Sequence, residues 1–234
     1  MAQSYFIWNG LDSRAEGLIL RRAAPLIRPE ERVKHTTIPG LSGDLTETEG
    51  EHIYNSYIQT VEFSVTDGSR VHSVFRWLRG GGYVTFSSDP DKRQEARLIG
   101  AVTLEKVSRN LDHWAGQAQF YCQPLKQRTY EPTQTLTEAA TIWNAGDVPS
   151  YPVILAYPGD ATITITVNGR TLVLTDVQDV RRIDSQIQEV SNAARTLLVT
   201  KNTAGPFPVL QPGGNEVSFT GCTKIVITPR ERFL

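Results

Sequence analysis

The side chains able to do acid–base, nucleophilic or metal chemistry are scattered along this chain. His35, His52, His72 and His113 are its four histidines. No two of them stand at a metal-ligand spacing, and no cysteine pair accompanies them. Asp112 and His113 are adjacent, but a catalytic triad is assembled in space and no serine is implicated. Gly40-Leu41-Ser42-Gly43 falls short of the Gly-x-Ser-x-Gly strand-to-helix turn that exposes a nucleophile. Gly80-Gly81-Gly82 precedes a strand-like run, whereas a phosphate loop opens a helix. Asp89 and Asp91 flank Pro90 as ordinary turn residues. The expectation is therefore no enzyme, no metal and no cofactor. Trp143, Tyr151 and Tyr157 are the residue types that stack on sugars, but core or rim positions of a β-sandwich use the same types more often. They lie beside prolines and turns without a visible cluster of polar partners, so no strong sugar binding is expected of them.

Composition narrows the class. Lys and Arg total 24 against 25 Asp and Glu, a formal net charge of -1. Such a balance gives no general attraction to nucleic acid or to an anionic membrane. The doublets Arg21-Arg22 and Arg181-Arg182 read as solvated surface. No apolar run approaches the roughly 20 residues a spanning helix needs, and Met1 to Tyr5 lack the basic and apolar regions of a leader. Two cysteines, Cys122 and Cys222, one in each half, suit a protein made in a reducing cytoplasm and expected to hold both thiols free.

The element around which the rest is organised is Trp114 to Pro124. Trp114, Ala118, Phe120 and Cys122 share one parity, and Gln117, Gln119, Tyr121 and Gln123 the other, as in a half-buried strand. Pro124 is expected to stop the pairing, with polar Leu125 to Thr137 as a hinge. This seam divides the chain into an N-terminal domain, residues 1–128, and a C-terminal domain, residues 129–234.

In the first domain Tyr5 to Trp8 reads as a strand ended by the turn dipeptide Asn9-Gly10, and Gly17 to Leu20 as another. Tyr57, Val61, Phe63 and Val65 alternate with Gln59 as the single polar break. One helix is expected over about 69–79 from the stripe Val71, Val74, Phe75 and Leu78. Ser69 or Asp67 would cap it and Gly80 would end it. Tyr83 to Phe86 and Ala96 to Val107 are strands, the latter bulged at Gly100. Between strand-like runs lies a long polar excursion, about 38–55, either an extended arm or a loop. Its apolar residues Ile38, Leu41, Leu45 and Ile53 have little to pack on within one subunit.

The second domain is a series of short strands. Ile163, Ile165 and Val167 lead through Asn168-Gly169 into Arg170 to Leu174, a strong hairpin signal. Val217 to Phe219 and Ile225 to Ile227, joined through Thr220-Gly221, read as a second hairpin. Ile187 to Ala194 reads as β, with a short helix as the other reading. The expected fold is mainly β: an N-terminal β domain with one packed helix and a C-terminal β-sandwich.

The order of motifs resembles the distal tail proteins of long-tailed, siphovirus-type bacteriophages. The similarity runs through Phe6 to Ser13, then Ile38-Pro39-Gly40-Leu41-Ser42-Gly43-Asp44-Leu45, which is similar to an Ile-Pro-Gly-x-x-Gly-x-Leu signature. Leu41 stands where a basic residue is common in that family. It continues through Trp77-Leu78, Gly82-Tyr83, Phe86 to Pro90, and the domain-closing Phe120-Tyr121-Cys122-Gln123-Pro124. Trp143 to Gly146, Ser150-Tyr151-Pro152, Ile183-Asp184-Ser185 and Leu210 to Asn215 carry it through the second half.

The resemblance implies that the sandwich is galectin-like and that the protein is structural, a ring of six subunits closing the distal end of the tail tube. Its partners would be the tail tube protein, the tape-measure protein, the tail-tip hub protein and, in many phages, receptor-binding proteins. It would be a virion component assembled in the bacterial host cytoplasm, with no sequence-specific nucleic-acid contact and no membrane insertion. The candidate ring contact is the arm, through Ile38, Pro39, Gly40, Leu41, Gly43, Asp44, Leu45 and Ile53. The seam residues are Phe120, Cys122 and Pro124. The alternative, from another class, is a carbohydrate-binding accessory module acting through the sandwich.

Overall fold

A computed structural model describes residues 3–234. The chain forms two compact units, one running to Thr129 and including Leu234, the other covering Tyr130–Phe233.

The first unit contains β1 (Phe6–Trp8), β2 (Leu11–Asp12), β3 (Leu18–Leu20), β4 (Val33–Thr37), β5 (Asp44–Thr48), β6 (Tyr57–Val65), helix α1 (Val71–Trp77), β7 (Gly81–Phe86), β8 (Lys92–Lys106) and β9 (Trp114–Arg128). Its main sheet runs in the order β2-β1-β7-β8-β9-β6-β3, with every pair antiparallel. One face buries Phe6, Trp8, Val61, Phe63, Phe120 and Cys122, so the alternation read along β9 is the alternation of burial. Asn9 and Gly10 take φ of 51° and 85°, the left-handed pair that joins β1 to β2 in a two-residue hairpin.

Helix α1 is shorter than its pattern suggested. A single 3₁₀ turn, Gly68–Arg70, precedes it, and Asp67 caps that turn by accepting from the Ser69 amide. Val71, Val74 and Leu78 are buried, but Phe75 is 38% exposed. Trp77 takes the inner place instead, stacking on Phe6 at 5.4 Å and donating Nε1–H to the Trp8 carbonyl at 3.3 Å. At 100° per residue Phe75 lies at the rim of a stripe centred between Val74 and Leu78.

Pro124 does not end β9, which continues to Arg128. The β6 ladder stops at Cys122, and on the β8 side pairing jumps from Cys122–Ala96 to Lys126–Gln94. Pro124 sits inside that bulge, where no ladder donor is required of it. Gln94 fills the gap by donating its side-chain amide to the Gln123 carbonyl. The bulge expected at Gly100 is present, the register shifting between Ile99 and Thr103.

The second unit is a sandwich of two five-stranded sheets. Its strands are β10 (Gln134–Leu136), β11 (Ala140–Asn144), β12 (Val153–Pro158), β13 (Ile163–Val167), β14 (Arg170–Leu174), β15 (Arg181–Asp184), β16 (Glu189–Asn192), β17 (Thr203–Ala204), β18 (Gly213–Thr220) and β19 (Cys222–Thr228). One sheet is β10-β19-β12-β15-β16 and the other β11-β18-β13-β14-β17. Ile142, Ile165, Leu172 and Val217 from one, with Ile154, Ile183, Ile225 and Ile227 from the other, make one core. Asn168-Gly169 turns β13 into β14 as expected. The second expected hairpin is not one, because β18 and β19 lie in different sheets. Gly221 is the corner between them. Its φ is +74°, and a Cβ there would stand 1.9 Å from the Thr162 carbonyl oxygen. Backbone crossing from sheet to sheet passes too close to Thr162 for any side chain.

Candidate functional site

The excursion predicted over about 38–55 is a β-hairpin that begins earlier, at Val33. Strands β4 and β5 pair in register from Val33–Thr48 to Thr37–Asp44 as a separate two-stranded sheet. Its tip explains the Ile-Pro-Gly signature. The Leu41 amide donates to the Ile38 carbonyl at 3.1 Å, Pro39 occupies the first central position and Gly40 the second with φ of 85°, the residue pattern of a type II turn. Gly43 also takes a positive φ, 89°. Asp44 then accepts the Thr37 hydroxyl at 2.8 Å, closing the tip. At the base, Glu31 bridges to Tyr54 and the Arg32 amide donates to the Ile53 carbonyl at 2.9 Å.

Every residue of β5 is exposed. Ile38, Leu41, Leu45 and Ile53 show 41%, 59%, 45% and 37% of their surface to solvent. The structure thus places Ile38, Leu41 and Leu45 on the hairpin and Ile53 at its base, all four outside the two hydrophobic cores of the chain. A two-stranded hairpin alone is marginal in water, and this one leaves its apolar side chains largely exposed.

The seam residues do a different job. Phe120 and Cys122 are fully buried, Phe120 against the rings of Phe6, Trp8 and Phe86 at 5.5, 5.2 and 6.0 Å. Burial pushes the Cys122 thiol up to about 12. Gln59, the polar break of β6, is buried on the same face. Neighbouring Tyr57 donates its hydroxyl to Gln94 Oε1 at 2.9 Å, and burial raises it to about 12.

Other motifs are structural locks. Asn9 Oδ1 accepts the Tyr83 amide at 3.0 Å, and a Cβ on Gly82 would stand 1.7 Å from it. Asn144 and Asn215 are buried. Asn144 donates to the Leu210 carbonyl at 3.1 Å, and Asn215 accepts the Gln211 amide and the Asn168 side chain, both at 2.7 Å. Two distant motifs thereby hold neighbouring loops of the sandwich.

Arg181-Arg182 is not solvated surface. Arg181 and Arg182 retain only 6% and 8% exposure. Arg181 pairs with Asp179 and donates to the Asp176 carbonyl at 3.3 Å. Arg182 donates to Asp184 Oδ2 at 2.8 Å, and Arg230 grips both Asp184 oxygens at 2.7 and 2.9 Å. Burial alone would raise the Asp184 carboxyl, but the hydrogen bonds and charges of Arg230 and Arg182 outweigh it and hold the group below its ordinary range. The signal was Arg182 and Asp184 two residues apart on a strand, hence on one face, but the partner from position 230 is invisible locally.

Among the described residues, no group of three His, Cys, Asp or Glu side chains is placed to hold a metal. His35 Nδ1 lies 3.0 Å from the Thr46 hydroxyl on the exposed hairpin. Of the three aromatics considered for sugar, Trp143 points outward from β11 and Tyr151 lies exposed in a loop, while Lys224 Nζ sits 4.4 Å above the Tyr157 ring. They do not form one cluster.

These features define a class: a mainly antiparallel β protein of two units carrying a separate polar hairpin with a few exposed apolar side chains. No protein-family model and no curated protein sequence matches the chain. Among solved structures it is similar to the SPP1 Dit protein (gp 19.1), described as a paradigm of the hub adsorption apparatus in Gram-positive infecting phages. The TM-score is 0.75 at 17% identity, with 100% of each chain covered. The chain therefore has the Dit fold along its whole length.

Proposed function

We propose that this chain is a structural protein of a phage tail tip, a distal tail protein whose copies close into a ring of six between the tail tube and the host-recognition apparatus. The observation that carries the reading is the match to Dit over the full length of both chains. The ordered motifs and the exposed hairpin support it. A ring needs a heterologous contact, one surface meeting a different surface on the next copy with a rotation that closes. The hairpin suits one side of that contact, because its apolar residues gain about 25 cal/mol per Å² when laid on a neighbour. Its free strand edges can pair there as well. The second unit, galectin-like by the same resemblance, is left to face receptor-binding proteins. Tube, tape-measure and hub proteins are the remaining partners, and the site of action is the distal end of the virion tail after assembly in the host cytoplasm. No step of this role needs catalysis.

Light scattering after size exclusion, with negative-stain imaging, tests the reading. The full chain is expected to show six protomer masses, or an equilibrium reaching that mass with concentration, and sixfold rings. Replacing Val33–Thr48 with a short Gly-Ser turn is expected to abolish the ring and leave a cooperatively folded monomer. The ends of the excision are already joined, since the Glu49 amide donates to the Arg32 carbonyl at 3.3 Å. A shortened chain that still forms rings of unchanged stability removes the hairpin from the contact. A full chain that stays monomeric at high concentration counts against the ring itself.

A further inference from the structure

The outward face of the sheet β11-β18-β13 is not explained by folding. Trp143 stands on it with 64% of its surface exposed, although tryptophan is a large apolar side chain that folded proteins rarely leave bare. The residue directly across the ladder is Gly214. The indole leans over the Gly213-Gly214 step, its atoms 4.0 and 3.8 Å from where the two glycine Cβ atoms would stand. No side chain of β18 therefore rises beside the ring at this step, and a flat aromatic surface is left open.

Next to it on the same face lies an open, shallow groove of about 450 Å³. Thr141, two residues before Trp143 on β11, forms one wall, and Glu216 stands directly opposite Thr141. Ser218 follows on β18, opposite Thr166. Directly opposed pairs hold their Cβ atoms about 5 Å apart, so these groups form one compact patch. Thr166 shares a 3.0 Å hydrogen bond with Thr171. The side chains of Thr141, Glu216 and Ser218 have no partner among the described residues. Glu216 is the one charged residue that lines the groove.

We propose that this face binds a neutral pyranose sugar, stacked on Trp143 and hydrogen-bonded at its edge by Thr141, Glu216 and Ser218. A pyranose presents an apolar face of C–H groups that matches a bare indole, and a rim of hydroxyls that donate to a carboxylate and exchange bonds with Thr and Ser hydroxyls. The single carboxylate, with no cation lining the groove, selects against phosphorylated or acidic sugars. A protein partner fits less well. An anchoring tryptophan in such an interface is desolvated in a pocket ringed by other contacts, whereas here the ring lies on an open sheet beside the exposed hydroxyls of Thr141 and Ser218. The ladder sets Thr141, Glu216 and Ser218 beside Trp143, polar neighbours that are not apparent from their order in the sequence. The inference is independent of the tail-tip reading, since ring formation is measured separately.

The test uses the full chain, a glycan array of neutral and N-acetylated hexose oligosaccharides, and calorimetric titration of the retained glycans. Wild-type protein is expected to retain at least one such glycan. Trp143→Ala is expected to weaken it by about tenfold or more, Trp143→Phe by less, and Glu216→Gln by a few-fold. The circular dichroism spectrum and thermal midpoint of all three variants should match the wild type, as these side chains lie on the surface. Retention of no glycan above the Trp143→Ala background overturns the proposal, and so does equal binding by wild type and Trp143→Ala. Shielding of Trp143 from acrylamide that grows with protein concentration alone would assign the face to a protein contact and also overturn it.

Discussion

Asp184 shows how one residue can be silent in sequence and decisive in the fold. It is 3% exposed and its two oxygens are held by Arg182 and Arg230. Asp184→Asn keeps the shape but leaves two guanidinium groups facing a neutral amide in a dry site. Breaking a buried pair in this way costs about 3 kcal/mol, which urea unfolding should register; a loss under about 1 kcal/mol would show the cluster to be solvated. The pH dependence has a definite sign. The folded carboxyl is depressed, so its stabilisation is complete at neutral pH and disappears as pH falls through the folded value. The gap between wild type and Asp184→Asn should therefore close on acidification.

The two thiols shift in the direction opposite to Asp184. Burial raises Cys122 to about 12 and Cys222 to about 11, and both are free. At pH 8 the thiolate, the reactive form, is scarce at both. Ellman's reagent should leave Cys122 untouched in the native protein, label Cys222 slowly if at all, and find two thiols on denaturation. Rapid native labelling of both would show the Cys122 core to be open. Because the unfolded thiol ionises first, stability should also decline as pH rises above about 9.

At the scale of elements, the corner between β18 and β19 is where the sandwich is committed to its topology. The Gly221 carbonyl accepts the amides of Gly159 and Asp160 at 2.9 and 3.0 Å, so the chain is pinned as it leaves one sheet for the other. Gly221→Ala adds a left-handed alanine and a clash with the Thr162 carbonyl, costing about 3 kcal/mol or more. Gly169→Ala is the control. Its φ is +78° but nothing lies within 4 Å of its Cβ, leaving only the backbone term of about 1 to 2 kcal/mol. Equal losses at the two positions, measured by denaturant midpoint, would show that the corner relaxes. The hairpin β4–β5 is the contrasting element. Turn chemistry at Pro39-Gly40 and ladder bonds shape it, but no core holds it, so its apolar side chains stay exposed.

At the scale of the whole molecule, each of the two units has a hydrophobic core of its own. The aromatic cluster around Phe120 and the aliphatic cluster around Ile154 and Ile165 each complete themselves within one unit. Surfaces left over, the hairpin on the first and the Trp143 face on the second, are then available for contact. The proposed ring predicts a mass that depends on concentration, since association of copies follows mass action.

Local chemistry alone determined a good part of this. The Asn9-Gly10 and Asn168-Gly169 turns, the alternation along β9 and β13, the α1 stripe apart from Phe75, and the bulge at Gly100 were readable because each depends on neighbours within a few residues. The exposure of Leu41 and Leu45 could be anticipated because no apolar period surrounds them. Tertiary structure decided the rest. Only sheet assembly separates β18 from β19, since a glycine turn serves a hairpin or a corner equally well. Pro124 is tolerated because the β6 ladder ends before it and a bulge faces it. Arg182 is buried because a carboxylate from its own strand and an arginine far along the chain meet there. Trp143 stands bare because the ladder places glycine opposite it. In each case the deciding partner is distant in sequence, and nothing local encodes which strand will lie alongside.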